Sequence, residues 1–275
     1  MESIRVLFVS QEITPYLPET EMSIIARTLP QKVQERGMEI RTFMPRYGLI
    51  NERRNQLHEV IRLSGMNLII NDTDHPLIIK VASIQSARMQ VYFIDNEDYF
   101  QRKFLFNDEK GDEFEDNDER AIFFARGVIE TVRKLRWAPD IVHCHGWFTS
   151  FIPLYLKKVY FDDPLFVQSR VVYSFYNDAF KKPLSRNLKQ KLLMEGVHAR
   201  DIEMLEKPSY QNLMQMVAKM SDGLVLGSKE VESGVDMVSR LKKPLLRHFE
   251  DGEEYVDLYT AFYDKILAAN KVVHT

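Results

Sequence analysis

Two short runs constrain this chain more than any other feature. Ile4-Arg-Val-Leu-Phe-Val-Ser10 is nearly continuously apolar and rich in β-branched residues, and Asp140-Ile-Val-His-Cys-His145 reads as another strand of the buried type. A strand with one wet face alternates polar and apolar side chains. A run without alternation suits a strand buried on both faces, as in parallel sheets layered by helices. After the first run comes a Pro-containing loop, residues 14 to 20. Met22, Ile24, Ile25, Ala26 and Leu29 then recur at helical spacing, and Glu39 to Met44 reads as the next strand. This β-loop-α-β opening predicts a doubly wound, mostly parallel α/β sheet. Pro30 is expected to break or kink the helix, with a second piece from Gln31 to Arg36 closed by Gly37.

Residues 56 to 95 change character. Val60–Leu63, Met66–Ile70, Leu77–Ser83 and Met89–Ile94 read as strands joined by turns, an antiparallel hairpin insertion in or beside the parallel sheet. Residues 107 to 119 are strongly acidic and read as a solvated loop. Asp118 or Asn117 is expected to cap a helix from Glu119 to Leu135. Phe148–Val159, Leu184–Leu193, Tyr210–Met220 and Lys229–Ser239 read as helices, and Ser169–Phe175 and Gly223–Gly227 as strands. A final amphipathic helix, Glu253 to Val273, gathers Tyr255, Leu258, Tyr259, Phe262, Ile266 and Leu267 on one face. With 275 residues, 45% of them hydrophobic, the chain supports a full core. One domain over residues 1–250, with a helix in 251–275 packed on it, accounts for the whole.

A net charge of −3 gives no general attraction for polyanions, so nucleic acid is excluded as a default partner. Cys144 is the single cysteine and allows no internal disulfide. No basic-then-apolar leader opens the chain, and no stretch approaches ~18 apolar residues. The expectation is a soluble, cytoplasmic protein away from membranes. His143 and His145 lie two apart on a strand and face one way. Two histidines without a further Cys/His motif are weak ground for zinc, so no metal is expected. No Walker loop, Gly-x-Gly-x-x-Gly loop or Ser-His-Asp spacing appears, so neither a cofactor nor a catalytic residue is assigned.

Several blocks resemble one family, in order. They are Ser10-Gln-Glu-Ile-Thr-Pro-Tyr16, Leu29-Pro30, Met44-Pro-Arg-Tyr-Gly48, Tyr99-Phe-Gln-Arg102 with Asp116-Asn-Asp-Glu-Arg120, Pro139-Asp-Ile-Val-His-Cys-His-Gly-Trp147, Pro153-Leu-Tyr-Leu-Lys157, and Val171-Val-Tyr-Ser-Phe-Tyr-Asn177. Together they resemble the N-terminal half of bacterial glycogen and starch synthases, glycosyltransferase family 5. Ser221-Asp-Gly-Leu-Val-Leu-Gly-Ser228 adds a thinner likeness. The resemblance implies a Rossmann-like sheet forming one half of a GT-B fold. Residues 253–267 resemble the terminal helix of such synthases, which crosses back onto the N-terminal domain.

Departures accompany the likeness. The family lysine that reaches the donor phosphates falls on Pro18, and its two glycines fall on Thr20 and Glu21. A Gly-Gly turn admits a pyrophosphate to backbone amides and lysine adds charge; Pro, Thr and Glu supply neither. Gly146 and Phe148 replace the family's Asp and last His, and Tyr176 replaces another His. The resemblance also implies a C-terminal donor-binding domain for which 275 residues leave no room. The ends of the parallel strands should gather Glu12, Tyr16, Arg46, Tyr47, His143, His145, Trp147, Tyr176 and Asn177. All but Arg46 are candidate glucan- or sugar-binding residues, with Trp147 and Tyr47 as stacking platforms. The expected function is a synthase-like domain that binds α-glucan or serves as a non-catalytic or partner-dependent subunit. The alternatives are an ADP-glucose-dependent glucosyltransferase completed by another chain, and a scaffold forming a homodimer through the uncovered cleft. A different enzyme on the same fold has no positive support.

Overall fold

The computed structural model describes residues 3–194, 196–234, 241–247 and 255–271. Its sheet begins with β1 (Arg5–Ser10) and β2 (Glu39–Pro45), then β3 (His58–Glu59), β4 (Met66–Ile70), β5 (Thr73–Ile84) and β6 (Met89–Asp95). β7 (Ile141–His145), β8 (Arg170–Phe175), β9 (Gly223–Leu226) and β10 (Leu245–Leu246) complete it. The spatial order is β10-β9-β8-β7-β1-β2-β6-β5-β3, with β4 paired to β5. All pairings from β10 to β6 are parallel, and β3, β4 and β5 add an antiparallel flank. Strand order reverses between β1 and β7, where Ser10 pairs with His145. Crevices outside the carboxyl ends of strands at such a switch point are where ligands bind in open α/β sheets.

Alternate side chains of each strand go to opposite faces. Before the C-terminal helix, the described α-helices are α1 (Glu21–Glu35), α2 (Glu97–Phe100), α3 (Asn117–Leu135), α4 (Phe151–Lys158), α5 (Leu188–Leu192) and α6 (Tyr210–Met220), and Leu7, Val9, Val142, Cys144, Val171 and Tyr173 join the larger core beneath α3, α4 and α6. Val6, Phe8, Ile141, Val172 and Val225 form a second core with Leu29 and Val33 of α1 (Glu21–Glu35). The same core takes in Val256, Tyr259, Phe262, Tyr263 and Ile266 of the C-terminal helix, Tyr255–Lys271. That helix lies beside α1 and covers Ile141, Val172 and Val225 of β7, β8 and β9 on the same face.

Gly223 marks its closest approach, since a Cβ there would stand 2.6 Å from Cδ1 of Ile266. Gly223→Val should therefore destabilise the protein by about 1–3 kcal/mol through overpacking. A urea-unfolding midpoint unchanged from wild type would contradict this.

Some expectations are corrected. α1 runs through Pro30 unbroken. A proline withholds its own N–H and crowds the carbonyl four residues back, but Leu29, Pro30 and Val33 are all buried, and that packing holds the helix across the gap. Val60–Leu63 is a turn, in which Leu63 is buried and Ile61 is 82% exposed. The edge strand is only His58–Glu59. The β4–β5 hairpin closes on Asn71 and Asp72, both at positive φ, as a tight two-residue turn requires. α3 starts at Asn117, and its N-cap residue, Asp116, makes no side-chain cap. Asn117 instead donates to the Phe106 carbonyl and accepts from Arg120, while Asp118 receives Lys191. Tertiary partners outbid the cap.

Phe148–Val159 divides into a 3-10 turn, Trp147–Thr149, and α4. The segment from Leu184 reduces to a short helix, Leu188–Leu192. On the last helix Leu258 is 37% exposed rather than on the packed face, whereas Val256 and Tyr263 are wholly buried. Of the Lys229–Ser239 helix, Lys229–Gly234 is a 3-10 turn and the rest lies outside the described residues. Residues 253, 254, 272 and 273 of the final expected helix also lie outside them.

Candidate functional site

At the switch point the chain leaves β1 through Ser10, Gln11 and Glu12, and leaves β7 into Gly146 and Trp147. Gly146 has φ 84°, and a Cβ there would meet Oε1 of Gln11 at 2.8 Å. Only glycine allows this crossing of the two exits. Gln11 Oε1 accepts from the Phe148 amide at 3.2 Å, tying β1 to the turn after β7. A cleft of about 350 Å3 opens above, with Glu12, Glu21, Phe106, Trp147, Tyr176 and Asp178 among its walls.

Among the described residues, no lysine or arginine lines this cleft. The α1 N-terminus that faces it is closed by its own side chains. Thr20 accepts from the Ser23 amide at 3.0 Å, and Ser23 returns a contact to the Thr20 amide at 2.8 Å. Thr20 also donates to Glu12 at 2.9 Å, and Gln11 donates to the other Glu12 oxygen at 3.1 Å. A helix N-terminus attracts anions through free amides and its positive dipole end. Here the amide of Ser23 is taken, and the carboxylates of Glu12 and Glu21 answer the dipole.

Four of the candidate residues, Glu12, Trp147, Tyr176 and Asn177, line the cleft. Tyr176 Oη shares a 2.9 Å hydrogen bond with Nδ1 of His145. Burial pushes the Tyr176 phenol far above its ordinary range. Asn177 is exposed and donates to the Glu230 carboxylate. Trp147 edges the cleft at 2% exposure, its ring 5.2 Å from Phe106 and 5.1 Å from Phe180.

The other candidates lie below the surface. Tyr47 is wholly enclosed by Phe100, Phe106 and Phe148, so it presents no face for stacking. Tyr16 packs edge-on to Phe93 at 4.9 Å. Arg46 bridges to Glu52 and Asp95 beneath the loop that follows β2. His143 lies under the C-terminal helix, sharing 2.7 Å hydrogen bonds with Tyr263 through Nδ1 and with Ser174 through Nε2. Its ring stands 4.0 Å from that of His145. Burial holds His145 down at about 3, and burial with His145 alongside holds His143 well below its ordinary value. Both rings are neutral at pH 7. Among the described residues no group of three His, Cys, Asp or Glu side chains converges as a metal would need.

Asp178 went unnoticed in the sequence. Its carboxylate accepts from the Trp147 amide at 2.7 Å and from the Tyr210 hydroxyl at 2.8 Å. Burial outweighs these bonds and raises it to about 6. The available signal was its place directly after Asn177 at the end of β8. Phe106 carried no comparable signal.

A family model described as the starch synthase catalytic domain matches residues 5–235. A glycogen synthase of Chlorobium limicola is 39% identical over 196 residues, which is 71% of this chain and 40% of that protein. One of Chlorobium luteolum is 40% identical over 194 residues, 70% of this chain and 40% of that protein. The chain thus spans about 40% of the length of the curated relatives it matches. The catalytic domain of starch synthase IV from Arabidopsis thaliana, bound to ADP and acarbose, superposes with a TM-score of 0.71 at 15% identity. That match covers 92% of this chain and 53% of the plant chain, and it shows that this chain shares the fold of the matched part of that catalytic domain. No helix among the described residues is long and apolar enough to cross a membrane.

Proposed function

This chain belongs to the starch synthase catalytic domain family, and from that premise we propose that it holds an α-glucan without transferring glucose to it unaided. The observation that carries this reading is the charge of the cleft. Glucosyl transfer from a nucleotide sugar releases a diphosphate, whose developing charge needs donors and cations aimed at it. The cleft offers Glu12, Glu21 and Asp178, and no lysine or arginine lines it among the described residues. A pyrophosphate meets repulsion there. A glucan is neutral, and hydroxyl-rich rings suit aromatic edges beside carboxylate and amide acceptors.

The deciding experiment is calorimetry beside an incorporation assay. Maltooligosaccharides should bind and ADP-glucose should not. The purified chain given ADP-glucose and glycogen should incorporate no glucose, and turnover above a blank would overturn the reading. A second reading, a transferase completed by another polypeptide, draws support from the 40% span of the relatives. Activity that appears only when a separate donor-binding half is added would establish it.

A further inference from the structure

Asp178 sits where three segments meet. It follows β8 and is half-buried in the cleft wall. Its Oδ2 accepts from the Trp147 amide at 2.7 Å, and its Oδ1 from the Tyr210 hydroxyl at 2.8 Å. Phe180 closes the circuit, its ring edge-on to Trp147 at 5.1 Å and to Tyr210 at 5.5 Å. One carboxylate thus ties the exit of β7 to the exit of β8 and to the first residue of α6.

The hydrogens at this junction have two arrangements. An ionised carboxylate only accepts. Tyr210 has a single hydroxyl hydrogen and two acceptors in reach, Asp178 Oδ1 at 2.8 Å and the Tyr176 carbonyl at 3.3 Å. While Asp178 is charged, the shorter, charge-assisted bond takes that hydrogen. A proton arriving from solvent through the cleft reverses the order. Placed on Oδ1, it makes Asp178 the donor to Tyr210, and the Tyr210 hydrogen turns to the Tyr176 carbonyl. The Trp147 amide then keeps only a neutral acceptor, and such a bond is roughly half as strong as one to an ion.

The surroundings set the balance between the two. The titratable groups facing Asp178 are Glu12 from the exit of β1, Tyr173 and Tyr176 from β8 and its exit, and Tyr210 from α6. Burial holds all three phenols far above their ordinary range, so they stay neutral. Glu12 opposes a second negative charge, Glu21 of α1 lines the same cleft, and no lysine or arginine does so among the described residues. Burial outweighs the two hydrogen bonds and brings the Asp178 carboxyl up to about 6, within reach of ordinary changes of pH.

We propose that Asp178 and Tyr210 form a proton-operated latch, which holds Trp147 at the cleft wall while Asp178 is charged and slackens when a proton reverses the Tyr210 hydrogen bond. The latch rests on the glucan reading above for what the cleft holds, and it adds acid control of that hold. Labelling the full chain with 5-fluorotryptophan reads the latch without any sugar. The chain has two tryptophans, and Trp137→Phe assigns their fluorine resonances. The Trp147 resonance should move with a midpoint at about pH 6. Asp178→Asn should abolish that movement. Tyr210→Phe removes a hydrogen bond that favours the charged form, so it should raise the midpoint by about one pH unit, which the loss of a merely structural contact would not do. By calorimetry, maltotriose should bind about 3–10-fold more weakly at about pH 5 than at about pH 7.5 in wild type, and equally at both in Asp178→Asn. A Trp147 resonance that stays fixed over this range, or that moves as much in Asp178→Asn, overturns the latch. An unchanged midpoint in Tyr210→Phe does the same. A moving resonance with equal maltotriose affinity at both pH values overturns the acid control. A moving resonance in a chain that binds no maltotriose at either pH overturns the glucan reading and leaves the latch standing.

Discussion

Tyr263→Ala should lower the unfolding free energy by about 3–5 kcal/mol, the range for emptying a buried aromatic site. The side chain is wholly buried between the sheet and the C-terminal helix, and its hydroxyl is bonded to His143. Truncation opens a cavity and strands a ring nitrogen at once. Tyr263→Phe separates the two effects. It keeps the volume and loses only the hydroxyl, so about 1–3 kcal/mol should go with the unpaired nitrogen. Urea titration followed by circular dichroism measures both. Equal losses in the two variants would show that packing contributes nothing separable, and no loss in either would show that the helix does not brace the sheet.

Acid is the second large perturbation. His145 titrates near 6.5 in an unfolded chain and at about 3 in the fold, because burial opposes its charged form. Stability from such a group is complete above pH 6.5 and is lost as pH falls towards the folded value. The loss from His145 alone between pH 7 and pH 5 is about 2 kcal/mol. His143, held well below its ordinary value, pushes in the same direction. Asp178, raised to about 6, works against both, since protonation on the way down relieves a buried charge. The histidine share is therefore read from a difference. Urea unfolding at the two pH values should give a pH dependence about 2 kcal/mol smaller in His145→Gln than in wild type. Identical dependences would remove the claim.

The centre of the sheet was legible because the apolar run of β1 does not alternate, which suits a strand covered on both faces. The hairpin flank was legible from its turn residues. Depth was not. Tyr47 and His143 stand at strand ends, which the sequence did mark. Whether a side chain there meets solvent depends on what closes over it. Phe100, Phe106 and Phe148 close over Tyr47, and a helix 120 residues further along closes over His143. Local pattern carries no record of such distant covers. Asp178 escaped for the opposite reason, since its role comes from Trp147 and Tyr210, each remote in sequence. The Pro18–Glu21 substitutions were legible, and the structure adds that Thr20 and Ser23 close the helix end themselves.

The C-terminal helix follows every strand it covers. On a ribosome adding ~5–20 residues per second, Val6, Phe8, Ile141 and Val172 emerge long before Tyr259 and Ile266 exist to meet them. For tens of seconds the nascent chain carries a half-finished sheet with one greasy side open to the cell. Aggregation of chains truncated before residue 255 is the expected consequence of covering a sheet with a helix made after its strands.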